Sequence, residues 1–153
     1  MFESELESKF PVHLKRKAYI AVNGEFGWRK HDIPEVIKQC RVLDYAVTGL
    51  EPWILAVKHY DRKYDSVFDF YFQVDHIKKG TLPVNGSTKS FIWNEEMLPG
   101  ESWEHYRERT LEGAYNAIEL FNVESQVEGK YKDKIFYNLI LFDEETYNSL
   151  KKY

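Results

Sequence analysis

Apolar and polar positions separate at helical spacing between Glu101 and Phe121. Trp103, Tyr106, Thr110, Ala114, Ala117, Ile118 and Phe121 recur every three or four residues, which places them on one face of a helix. Glu101, Glu104, Glu108, Glu112 and Glu119 fall opposite them. The pattern predicts a long amphipathic helix over 101–121, introduced by Pro99-Gly100, with one side for a core and the other acidic. A shorter stripe of Ile33, Val36, Ile37, Cys40 and Leu43 predicts a helix running to Leu43 or Tyr45, with Asp32 and Glu35 spaced as a capping box and Pro34 in the first turn. Asp143 is placed to cap a short final helix ending near Lys152.

Elsewhere the pattern has period two. A strand is predicted from about His13 to Val22, then a tight turn at Asn23-Gly24 and a short returning strand over Glu25 to Trp28. After Gly49, Trp53 to Tyr60 and Tyr64 to Val74 read as a hairpin joined by Asp61-Arg62-Lys63. In its second strand Phe68, Phe70, Phe72 and Val74 share one face, and Asp65, Val67, Asp69, Tyr71, Gln73 and Asp75 the other, so one side of the sheet is expected to be accessible. Asn85-Gly86 marks a turn before a strand around Lys89 to Trp93, and a last strand runs from about Lys134 to Phe142. The sum is an α+β fold: a single domain over 1–153, mainly antiparallel sheet, with the long amphipathic helix packed on one face.

A length of 153 residues suits one such domain and is ample for a core without disulfides, which the sole cysteine, Cys40, excludes within the chain. On the apolar stripe, Cys40 reads as a small core residue and not a nucleophile. Glu3, Glu5 and Glu7 stand where a secretory signal carries its basic end and apolar run, and no apolar stretch approaches the roughly 20 residues of a membrane span, so a cytoplasmic location is expected. The net charge of -4 argues against broad nucleic-acid binding. The basic clusters at Lys15, Arg16, Lys17 and at Lys130, Lys132, Lys134 read as solvated lysines at strand edges.

No pattern for catalysis emerges. His13, His31, His59, His76 and His105 fall in no metal-ligand spacing, and a nucleophile elbow, a phosphate-binding glycine loop and a dinucleotide fingerprint are absent, so neither metal nor cofactor nor enzymatic activity is expected. Acid-base work by the plentiful carboxylates requires one in an apolar pocket with a shifted pKa.

The acidic surface is more informative. Residues 101–121 carry five Glu against Arg107 and Arg109, a net -3 of the chain's -4. At about 100° per residue the five carboxylates span an arc of only about 80°, with Tyr115 inside it. Glu104, Glu108 and Glu112 are successive four-residue neighbours, each pair repelling by about 0.2–0.5 kcal/mol in an isolated helix. A solvated helix face and a landing surface for a basic partner both fit this pattern. Asp65, Asp69 and Asp75, with Tyr71 among them, offer a second acidic and aromatic patch on the accessible sheet face.

Several motifs within residues 32–121 carry a resemblance. They are a short helix, Gly49-Leu50-Glu51-Pro52-Trp53 entering a strand, Phe91-Ile92-Trp93-Asn94, and Gly100-Glu101-Ser102-Trp103 opening a helix that continues through Tyr106, Arg109, Thr110, Ala114 and Ile118. The segment resembles small α+β immunity proteins of bacterial polymorphic toxin systems. The resemblance implies a cytoplasmic inhibitor that binds a cognate toxin protein tightly and catalyses nothing. An acidic inhibitor suits a basic toxin such as a nuclease, because complementary charge accelerates encounter. From charge pattern, the expected contact residues are Glu104, Glu108, Glu112, Tyr115 and Glu119, with Asp65, Asp69 and Tyr71. The alternatives are a small-ligand-binding or enzymatic domain with an aromatic pocket between helix and sheet, and an assembly subunit that self-associates. Oligomeric state is not fixed by the sequence.

Overall fold

A computed structural model describes residues 3–21, 24–54, 93–94, 96–125 and 133–150. The fold is α+β. Among the described residues it comprises α1 (Glu5–Ser8), α2 (Val12–Lys17), β1 (Tyr19–Ile20), β2 (Phe26–Trp28), α3 (Ile33–Leu43), β3 (Ala46–Ile54), β4 (Trp93–Asn94), α4 (Trp103–Phe121), β5 (Ile135–Phe142) and α5 (Glu144–Leu150). The strands form one antiparallel sheet in the order β1-β2-β5-β3-β4.

β5 is the central strand. Its Ile135, Tyr137, Leu139 and Leu141 enter the main core, where Val36, Ile37 and Cys40 of α3 and Leu111, Ala114, Ala117 and Ile118 of α4 meet them. Phe136 points the other way and packs with Trp53, Ala21 and Tyr19, so at this end the sheet is buried on both faces. The Trp53 ring reaches across β5 to β2, where a Cβ on Gly27 would lie 2.8 Å from its Cε3. Only glycine leaves room for that crossing.

α4 holds to the sheet by a polar contact as well as by its apolar stripe. Buried Thr110 accepts the Val47 N–H at 3.1 Å and donates to the Arg107 carbonyl at 2.8 Å. The Val47 amide is thereby satisfied just before a bulge between Val47 and Gly49 interrupts the β3–β5 ladder. At the other end of the core, Trp103 and Tyr106 stack with Tyr147 of α5, whose hydroxyl accepts the Met97 N–H at 2.9 Å.

Several expectations hold in detail. Cys40 is fully buried. β1 and β2 pair as a hairpin, with Gly24 at φ 87 and its N–H on the Ala21 carbonyl at 2.9 Å, while Asn23 lies outside the described residues. The Asp143 Oδ1 accepts the Thr146 N–H at 2.8 Å and starts α5.

Others are corrected. Residues 12–17 form α2 and not the first part of a strand: Pro11 occupies its N-cap position, Lys15, Arg16 and Lys17 sit at the C-terminal end that favours cations, and only 19–20 pair in the sheet. Asp32 makes no capping bond, because a 3-10 turn over Lys30–Asp32 leads straight into α3 and Asp32 already has helical angles. α3 does run to Leu43 as expected, and it ends at left-handed Asp44, with Tyr45 N–H on the Cys40 carbonyl at 2.8 Å and Asp44 N–H on that of Arg41 at 3.2 Å. This sharp stop lets β3 begin at Ala46, well before Trp53. α4 begins at Trp103, where Ser102 Oγ accepts the His105 N–H, so Glu101 precedes the helix. The expected hairpin beyond residue 54, the turn at Asn85-Gly86 and residues 89–92 lie outside the described residues.

Candidate functional site

The outward face of α4 carries Glu104, Glu108, Glu112, Tyr115 and Glu119 together, as helical spacing requires. It is less acidic than its own sequence suggests, because cations arrive from elsewhere. Arg41 of α3 bonds Glu108 through Nε at 2.6 Å, and Arg107 bonds its other oxygen at 3.0 Å. Partial burial opposes ionisation of Glu108, but these two guanidinium bonds prevail and hold its carboxyl below the usual range. Lys30 stands 3.5 Å from Glu119. Glu104 and Glu112 have no ion pair among the described residues and are exposed.

Glu101 leaves this surface altogether. Its side chain is only 3% exposed and accepts from Arg109 Nε at 2.8 Å and Arg109 Nη2 at 2.9 Å, and its carboxylate also meets His105 and the Leu98 N–H. The Arg109 hydrogen bonds, above all, hold its carboxyl far below the usual range. Arg109 is similarly committed, reaching the Glu96 carbonyl at 2.8 Å. Together they tie the 96–101 segment to the first turns of α4. The adjacent Asp44 Oδ1 accepts from Trp103 Nε1 at 3.0 Å and Arg107 Nη1 at 2.7 Å, joining the end of α3 to the start of α4.

Tyr115 is the large apolar side chain of this face, 42% exposed. With Pro34 it lines two surface clefts. One, of about 460 Å³, lies between Arg29, Lys30, His31 and Ile33 on one side and Ile118, Glu119 and Glu124 on the other. Glu124 is fixed there by the Tyr137 hydroxyl, 2.9 Å from both carboxylate oxygens. The second, of about 360 Å³, runs between Ile37 and Arg41 of α3 and Glu108, Leu111 and Glu112 of α4. The α3–α4 seam is thus a ridge of Tyr115 and Pro34 flanked by hollows with apolar floors and charged rims.

A second polar centre, unmarked by any sequence motif, lies under α1. Glu7 is 6% exposed; its Oε1 accepts from Ser4 Oγ at 2.7 Å and its Oε2 from the Phe26 N–H. Burial outweighs both donors and pushes its carboxyl up to about 7. Both oxygens are occupied by the chain itself, so the role of Glu7 is structural, pinning α1 to β2. The Tyr45 hydroxyl adds a bond to the Leu6 carbonyl at 2.7 Å.

Asp65, Asp69, Asp75 and Tyr71 lie outside the described residues. Among the described residues no three His, Cys, Asp or Glu side chains converge as a metal-binding group, and no helix is long and apolar enough to cross a membrane. The chain matches no model of a known protein family, no curated protein and no solved structure.

Proposed function

We propose that this chain is a stoichiometric protein-binding module of the immunity type, which neutralises a cognate bacterial toxin with a basic surface through the outward face of α4. The observation that carries the reading is Tyr115, an exposed aromatic between two clefts, bordered by the carboxylates of Glu112 and Glu119. An aromatic anchor desolvated at the centre of a contact, with charged groups around it, is the usual source of affinity in protein complexes. The carboxylates differ in what they offer. Glu104 and Glu112 present uncompensated charge for steering, whereas Glu108 and Glu119 must exchange Arg41 and Lys30 for a partner's cations.

The test is association kinetics with a basic partner protein. Reversing Glu104 and Glu112 together to lysine is expected to slow association about tenfold at low ionic strength, with the difference shrinking as salt is added. Glu108→Lys should slow it less, because Arg41 and Arg107 already offset that charge. Unchanged kinetics for the double reversal would reject this face as the contact surface.

A further inference from the structure

The layer behind the central strand holds a buried acceptor with no donor. Asn138 of β5 is 1% exposed and gives its Nδ2 to the Phe26 carbonyl of β2 at 2.8 Å, yet its Oδ1 has no hydrogen-bond partner. An amide oxygen buried in this state is costly. Flipping the amide gives no relief, because it would set oxygen against the Phe26 carbonyl.

A donor for Oδ1 has to come from a neighbour on the same face of the sheet. On the β2 side the residue opposite Asn138 is Gly27, which has no side chain, and along β5 the neighbours two positions away are Phe136 and Ile140. On the β3 side it is Glu51. Directly opposed residues hold their Cβ atoms about 4.5–5.5 Å apart, within reach of a glutamate side chain. The Glu51 Oε1 accepts Trp53 Nε1 at 3.1 Å, which keeps the carboxyl on this face, and its Oε2 takes no hydrogen bond among the described residues.

An ionised Glu51 would set acceptor against acceptor beside Asn138, with no proton between them. Its surroundings oppose ionisation as well. Burial raises its pKa above the ordinary 4.5, the Trp53 hydrogen bond opposes the rise, and Glu25 adds to it. Among the described residues Glu25, itself an acid, is the charged group that acts on Glu51.

We infer that Glu51 stands as a neutral carboxylic acid in the folded chain and donates its proton to Asn138 Oδ1, so that the two residues form a pH-sensitive latch within the sheet. The contacts then run from Glu51 on β3 through Asn138 on β5 to the Phe26 carbonyl on β2, and one proton ties three strands together. Glu7 holds the N–H of the same Phe26, with Glu25 again nearby. Deprotonation of Glu51 replaces a hydrogen bond by repulsion between two oxygens. Because the folded-state pKa is raised, the stability that this proton contributes is fully present below about 4.5 and is lost as pH rises through the folded value. The latch does not depend on the α4 reading, since the two share no residue.

The test follows the Glu51 carboxyl carbon and the Asn138 side-chain amide by NMR against pH in the isotope-labelled full chain, with the Glu51 signal identified by its loss in Glu51→Gln. A Glu51 midpoint above 4.5 is expected, with an Asn138 amide shift of the same midpoint. Both should persist in Glu7→Gln, which separates them from the titration of Glu7. Glu51→Gln supplies an amide N–H in place of the acid's proton and keeps an oxygen for Trp53. It should unfold at the same urea concentration as wild type at low pH, at a higher one above the Glu51 midpoint, and should show no Asn138 step at that midpoint. A Glu51 midpoint at or below 4.5, as when a buried water supplies the donor, or an Asn138 amide that does not follow Glu51, would overturn the inference.

Discussion

Arg41 on α3 and Glu108 on α4 are joined by a 2.6 Å hydrogen-bonded ion pair across the seam that carries Tyr115. The pair spans 67 positions of sequence and removes from the α4 face a charge that helical periodicity alone assigns to it. Both side chains are nearly half exposed, so solvent screens the attraction. A double-mutant cycle with Arg41→Ala and Glu108→Ala, read by urea denaturation, is expected to give a coupling of roughly 0.2–1 kcal/mol that declines with salt. A larger, salt-insensitive coupling would mean that the seam is held by this pair and not by the apolar contacts beneath it.

The crossing of Trp53 over Gly27 gives a sharper expectation. A methyl at Gly27 would meet Trp53 Cε3 at 2.8 Å and Phe136 Cβ at 3.2 Å, and both rings belong to a cluster buried on the second face of the sheet. Gly27→Ala should cost about 1–3 kcal/mol of stability through overpacking. In a Trp53→Leu background the same substitution should cost clearly less, because the clashing ring is gone. Additive losses in the two backgrounds would contradict the contact.

Glu7 sets a pH dependence whose sign follows from its environment. Its folded-state pKa of about 7 lies above the ordinary 4.5, so the folded protein holds this proton where the unfolded chain has lost it. Stability therefore falls as pH rises from about 4.5 to 7 and levels off above, by up to about 3 kcal/mol at 1.36 kcal/mol per unit. Glu7→Gln removes this contribution and keeps an oxygen for the Phe26 N–H. The difference in unfolding free energy between variant and wild type should grow in favour of the variant across that window. A difference that stays flat there would show that Glu7 is ionised throughout.

The parts of the fold that were legible in the sequence are those whose period is long enough to fix a face. α4 repeats its stripe over five turns, and the expected strand near the C-terminus and the capped final helix appear as β5 and α5. Where elements are short, tertiary contacts decide. Residues 12–17 alternate well enough to read as a strand, yet Pro11 and the burial of Leu14, whose carbonyl accepts Trp28 Nε1 at 3.0 Å, make them a helix. α1 has four residues and no stripe, and its position rests on Glu7 reaching Phe26, 19 positions away.

The candidate site was legible in its geometry and not in its charge. Spacing alone brings Glu104, Glu108, Glu112, Tyr115 and Glu119 to one face. The partners that compensate two of them, Arg41 and Lys30, come from a different segment, and no one-helix pattern encodes which cation meets which carboxylate. Glu101 shows the same limit from the other side. It fits the acidic stripe by number, but Ser102 caps the helix after it and Arg109 draws it inward, away from solvent.

The proposal that this chain neutralises a partner through α4 turns on Tyr115, and one affinity measurement tests it most directly. The experiment uses a basic candidate toxin protein that co-purifies with this chain as a one-to-one complex, and compares wild type with Tyr115→Ala by calorimetric titration. The substitution removes an exposed ring and should leave folding intact, while the complex should weaken by about 2 kcal/mol, roughly 30-fold in Kd, mostly through faster dissociation. A Kd unchanged by Tyr115→Ala, or the absence of any one-to-one complex, would contradict the account.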